Sequence, residues 1–139
     1  MNRFEDKKNT ELSTQVPCIL ILDDDGRALR TQREFFEDVG YAVETTRTVE
    51  RATAILGSRR VDLVIVDGDL GDGKYDEQSV SGRFILEHIQ GRIRYVRSSM
   101  YGGEIPENLH GETPGEAGFN VFDRVLKILP LPDSDVEQE

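Results

Sequence analysis

The sequence predicts an α/β protein whose parallel sheet is covered on both faces, and three observations carry that expectation. Ile19-Leu20-Ile21-Leu22 and Leu63-Val64-Ile65-Val66 are apolar runs without alternation, the pattern of strands buried on two sides. Each run stops abruptly in acid: Asp23-Asp24-Asp25 follows the first, and Asp67-Gly68-Asp69 the second. Segments of helical period separate the runs, as crossover connections between parallel strands require.

In chain order, residues 1–16 are polar and charged and read as a disordered arm, with Pro17 marking where order begins. A first strand spans Cys18–Leu22. Ala28, Leu29, Gln32, Phe35, Phe36 and Val39 then recur at helical spacing, and Gly40 is placed to end that helix. Tyr41–Thr45 reads as a short second strand. Thr48 is a capping residue for a helix with the apolar face Val49, Ala52, Ile55 and Leu56, closed by Gly57. Leu63–Val66 is the third strand. A long polar segment, Gly68–Ser81, precedes a third helix marked by Phe84, Ile85, His88 and Ile89 that stops near Gly91. Ile93–Arg97 alternates apolar and basic residues, which predicts a fourth strand less completely buried than the others. Met100–Gly118 carries five glycines and two prolines, which argues against a regular helix throughout. Phe119–Phe122 reads as a fifth strand and Asp123–Leu129 as a final helix stopped by Pro130. Residues 131–139 form an acidic tail.

With 139 residues the chain has room for one ordinary core, so the ordered domain is expected over residues 17–130. The formal net charge of -10 argues against nucleic acid as a partner, because phosphate binding needs clustered Lys and Arg. No apolar run approaches the length of a membrane span, and Met1–Gln15 has the pattern of neither a signal peptide nor an anchor. The single cysteine, Cys18, lies beside a strand and reads as a small buried hydrophobe, in keeping with a reducing cytoplasm. His88 sits on the apolar side of its helix and reads as a half-buried packing residue; His110 reads as exposed.

The chemistry lies in the acids. A carboxylate at Asp67 sits at the carboxyl edge of a parallel sheet, where open α/β folds place their ligands, and is a candidate nucleophile or metal ligand; the alternative is a capping or loop aspartate. Asp23–Asp25 would reach the same edge. Crowded like charges repel unless a cation joins them, and hard oxygen ligands suit Mg²⁺. One of the three acids is also expected to cap the helix that follows.

The order strand, acids, helix, strand, helix, strand, acid, helix, strand, serine, strand resembles the receiver domain of bacterial response regulators over about residues 18–129. Asp23 and Asp24 match that family's acidic pair, Asp67 its phosphoacceptor, Asp69 the residue whose backbone carbonyl completes the metal site, and Ser98 the hydroxyl residue ending the fourth strand. The resemblance implies a flavodoxin-like (CheY-like), doubly wound, five-stranded parallel sheet in three α/β/α layers, here with a degenerate fourth helix. It also implies phosphoryl transfer from a phosphohistidine to Asp67. Asp23, Asp24, Asp67 and the Asp69 carbonyl would hold Mg²⁺, and Ser98 would donate to a phosphoryl oxygen. The partners it implies are a sensor histidine kinase or histidine phosphotransfer protein and a downstream signalling protein, in a two-component phosphorelay.

Three features depart from the family. The lysine expected at the end of the fifth strand is replaced by Phe122 or Asp123, and Arg124 fits only if the strand slips. Lys74–Ser81 looks inserted, and Met100–Gly118 stands where a regular fourth helix belongs. The expectation is therefore an atypical receiver that stands alone, with no output domain after residue 130. It either accepts a phosphoryl group on Asp67 or acts as a phosphorylation-impaired pseudo-receiver that binds proteins. An enzymatic alternative reads Asp67-Gly68-Asp69-Leu70 as the first motif of a haloacid-dehalogenase-type phosphatase, with Asp67 as nucleophile and Asp69 as acid-base.

Overall fold

The computed structural model describes residues 16–72, 76–98 and 121–132. Four strands, β1 (Cys18–Leu22), β2 (Ala42–Thr46), β3 (Leu63–Asp67) and β4 (Arg94–Ser98), form one sheet in the order β2-β1-β3-β4. All pairings are parallel. The helices are α1 (Gly26–Val39), α2 (Val49–Ser58), α3 (Val80–Phe84, continued by a π-helical turn over Ile85–Ile89) and α4 (Val121–Ile128).

Strand alternation explains why the apolar runs are continuous. Cys18, Leu20, Leu22, Val64 and Val66 face one layer, where they meet Ala52 and Ile55 of α2 and Phe84, Ile85 and Ile89 of α3. Ile19, Ile21, Leu63, Ile65 and Val96 face the other, against Leu29 and Phe36 of α1 and Val125 of α4. Two cores, one on each face, make the molecule a three-layer α/β/α sandwich. Phe36 is central to the second core, with Phe35, Tyr41 and Phe122 rings around it at 5.1, 6.1 and 5.5 Å.

Local chemistry sets the helix ends. Asp25 is the acid that caps α1, its Oδ1 accepting from the Arg27 N–H at 2.9 Å, and Thr48 caps α2 through the Arg51 N–H. Gly40 ends α1 at φ 117°, a left-handed conformation suited to glycine. α2 runs through Gly57 to Ser58 instead of closing at the glycine, because Arg59 takes up extended backbone as the cap.

The third helix begins earlier than its apolar period indicates. Ser79 caps it by accepting from the Gly82 N–H at 3.0 Å, so Val80 and Ser81 are helical and the polar connection is shorter than Gly68–Ser81. Gly82 is required there, since a Cβ would overlap the Asp76 carbonyl oxygen.

One expectation is corrected. Val121 and Phe122 open helix α4 instead of ending a fifth strand, and Phe122 packs its ring against Phe35 at 4.4 Å. The described residues thus make four strands; Phe119 and Asn120, the glycine-rich Met100–Gly118 with His110, residues 73–75, the arm 1–15 and the tail from 133 lie outside them. β4 is less completely buried than β1 and β3, as expected, but more so than β2, and of its two basic residues only Arg94 faces solvent while Arg97 is 1% exposed.

Cys18 is buried and unpaired as expected, its thiol pushed up by burial. His88 is half-buried against Phe84, ring to ring at 5.6 Å. Among the described residues no helix is long and apolar enough to cross a membrane.

Candidate functional site at the carboxyl edge of the sheet

Because β1 and β3 are neighbours, the acids that end them meet. Leu22 pairs with Val66, which places Asp23 beside Asp67, and Asp67 itself pairs with Ser98 at the end of β4. Carboxylate oxygens of Asp23, Asp24 and Asp67 all lie within 4.8 Å of one another.

Each acid is held differently. Asp23 is 7% exposed, and its Oδ1 accepts from the Asp25 N–H at 2.9 Å while its own N–H donates to the Thr46 carbonyl of β2. Asp24 is exposed, but its backbone is fixed: the Arg47 guanidinium forks onto its carbonyl oxygen at 3.1 and 2.8 Å. Asp67 is half-buried and accepts from the Asp69 N–H at 3.2 Å. Asp69 turns its own Oδ1 to the Gly71 N–H at 2.8 Å, so its carboxylate shapes the loop and is not in the triad. The Gly68 N–H donates to the Ser98 carbonyl at 2.6 Å, tying the two strand ends together.

This crowding changes the acids. Burial first, then the charge of Asp23, pushes Asp67 up to about 8, and protonated Asp67 donates a side-chain hydrogen bond that Asp23 accepts. Burial also raises Asp23. Near neutral pH, without a cation, the pair therefore shares a proton.

The donor set fits a hard divalent ion. Octahedral Mg²⁺ with oxygens at about 2.1 Å separates its ligands by about 3 Å when adjacent and about 4.2 Å when opposite. Asp23, Asp24 and Asp67, with oxygens all within 4.8 Å of one another and Asp24 exposed, are hard-oxygen donors of the kind that could hold such an ion.

Sequence reasoning missed the second half of the site. Arg97, one residue before Ser98, lies under the β3–α3 loop, and its Nη2 donates to the Gly68 carbonyl at 3.2 Å, Ser79 Oγ at 3.2 Å and Ser81 Oγ at 2.5 Å. Ser79 and Ser81 are fully buried, and Ser81 Oγ also donates to the Gly68 carbonyl at 2.8 Å. The available signal was phase: Arg97 falls on the same strand face as Tyr95, which is core. Arg124 reaches the same edge from α4, its Nη1 donating to the Arg97 carbonyl at 3.2 Å.

No protein-family model matches the chain, and no curated protein matches it. Solved structures do. A MaeR response regulator bound to beryllium trifluoride superposes with a TM-score of 0.52 at 20% identity, over 81% of this chain and 94% of that one. A fusion of a yeast Spc42 trimeric coiled-coil segment to another structure matches with a TM-score of 0.50 at 25% identity, over 62% of this chain; the chain spans 56% of that fusion. With its parallel β2-β1-β3-β4 sheet and helices on both faces, the chain shares the α/β fold of that response regulator.

Proposed function

We propose that the chain is a signalling domain whose Asp67 accepts a phosphoryl group, with Asp23, Asp24 and Asp67 holding Mg²⁺ beside it. The observation that carries this reading is the convergence of three carboxylates within 4.8 Å at the strand ends, with Ser98 in register opposite Asp67. In the reaction an Asp67 oxygen attacks phosphorus, the new O–P bond forms as the N–P bond of a phosphohistidine breaks, and the leaving imidazole nitrogen takes up a proton. A bound Mg²⁺ supplies positive charge that offsets both the carboxylates and the phosphoryl oxygens. Asp23 and Asp24 hold the ion, the Asp69 backbone is the fourth candidate ligand, and Ser98 donates its hydroxyl to a phosphoryl oxygen. The partners that fit are a histidine kinase or phosphotransfer protein and a downstream signalling protein.

The dehalogenase-type reading is less well supported, because it needs the Asp69 carboxylate as acid-base, and that group accepts from the Gly71 N–H instead. The pseudo-receiver reading draws on Phe122, which stands near the family's lysine position and is a partly buried residue of α4 packed against Phe36. Mass spectrometry after incubation with Mg²⁺ and acetyl phosphate separates the readings. One phosphoryl adduct, abolished in Asp67→Ala, is expected; no adduct would leave the pseudo-receiver, and an adduct that survives Asp67→Ala would displace the assignment.

A further inference from the structure

Arg97 is the largest fully buried side chain among the described residues. Burying a guanidinium is costly unless a carboxylate or phosphate compensates it. Among the described residues no carboxylate lies within ion-pair distance of it. Its Nη2 is saturated by neutral oxygens, those of Gly68, Ser79 and Ser81, while Nε and Nη1 are buried without a hydrogen-bond partner. Neutral acceptors satisfy donors but do not cancel charge.

That charge is next to the acidic edge. Arg97 pairs with Val66, the residue before Asp67, and one of its acceptors is the carbonyl of Gly68, the residue after. Burial disfavours the charged guanidinium, and Tyr95 first, then Asp67, Asp72 and Asp76, favour it through space. The loop between β3 and α3 thus folds over a cation that no ion pair among the described residues neutralises, and the candidate phosphoacceptor is one of the acids acting on it through space.

We propose that Arg97 is the built-in positive charge of this site: its hydrogen bonds to Gly68, Ser79 and Ser81 place it beneath the loop, and its charge, bound by neutral acceptors and not by an ion pair, favours an added anion at Asp67. This deepens the phosphoacceptor reading and rests on it. Arg97 does not touch the reacting atoms; it acts on them through the field. The same charge must disfavour a divalent cation at the triad, and this pairing of opposite effects separates an electrostatic role from a structural one. Loss of a mere strut would loosen the loop and weaken both ligands together.

The test uses the full chain and two probes: Mg²⁺ alone, then beryllofluoride at saturating Mg²⁺, each titrated by calorimetry. A unit charge several ångströms away in a half-buried site is worth roughly threefold to tenfold in affinity. Arg97→Gln is therefore expected to bind Mg²⁺ more tightly and beryllofluoride more weakly by about that factor, and Arg97→Lys, which keeps the charge but not the fork, to return both toward wild type. Ser81→Ala, which removes an acceptor but no charge, is expected to keep the ratio of the two affinities. Arg97→Gln weakening both ligands, or leaving beryllofluoride unchanged while wild type binds it, overturns the role given to Arg97 alone. A wild-type chain that takes neither probe overturns the phosphoacceptor reading and this inference with it. If Arg97→Gln fails to fold, Arg97→Lys decides: affinities for both ligands close to wild type support the charge, and a parallel loss of both ligands overturns it.

Discussion

Replacing Asp67 by asparagine removes one of three carboxylates whose oxygens converge within 4.8 Å, and the change should stabilise the protein when no divalent ion is present. Asp67 is raised from 3.8 to about 8, by burial first and then by the charge of Asp23. With a folded value above the unfolded one, the folded state holds a proton that the unfolded chain has released. The stability this represents is complete below the unfolded value of 3.8 and is lost as pH rises through about 8. Two unit charges 4.8 Å apart repel by about 1–2 kcal/mol at the effective dielectric of a half-exposed site, which is the discounted figure to use here. For a chain of this size that is roughly 3–8 °C in melting temperature. Melts of wild type and Asp67→Asn, followed by circular dichroism in a chelator, should therefore differ in favour of the variant at pH 8 and coincide near pH 4. Millimolar Mg²⁺ should reverse the order at pH 8, because only wild type retains the full ligand set and gains by mass action. A difference independent of pH, or an Asp67→Asn protein that melts lower at pH 8 in chelator, would refute the reasoning.

Asp24→Asn lies on an exposed side chain, so the basal melting temperature should hardly move while the Mg²⁺-dependent rise disappears; scanning calorimetry with and without the ion checks this. Gly82→Ala should cost about 1–3 kcal/mol in urea unfolding, because the added Cβ meets the Asp76 carbonyl and must push the β3–α3 loop away from α3. Phe36→Ala should cost about 3–5 kcal/mol, the usual loss for a fully buried aromatic, and near-ultraviolet spectra should report disturbed Tyr41 packing.

How much of this was legible in the chain depends on the range of each interaction. The runs Ile19–Leu22 and Leu63–Val66 announce two-sided burial by themselves, since a strand covered on both faces has no reason to alternate. The caps at Asp25, Thr48 and Gly40 are equally local, because a cap bonds only to the first or last turn of its own helix. The acids Asp23, Asp24 and Asp67 and the hydroxyl residue Ser98 were also identifiable, as the residues that follow or end the strands.

What tertiary structure alone decided concerns neighbours distant in sequence. Placing β1 beside β3, with β2 on the outside, brings Asp23 and Asp67 close enough to share a proton, and no local pattern sets that order. Val121 and Phe122 have a strand-like composition, yet their apolar side chains are used against Phe35 and Phe36 from a helix, where packing overrides propensity. Arg97 is the clearest case. A basic residue in an alternating strand reads as solvent-facing, and it is buried here because Gly68, Ser79 and Ser81, from 16 to 29 residues earlier, supply oxygens over its guanidinium. A strand's own sequence determines which side chains share a face; whether that face meets water or a loop is settled by what the rest of the chain places above it.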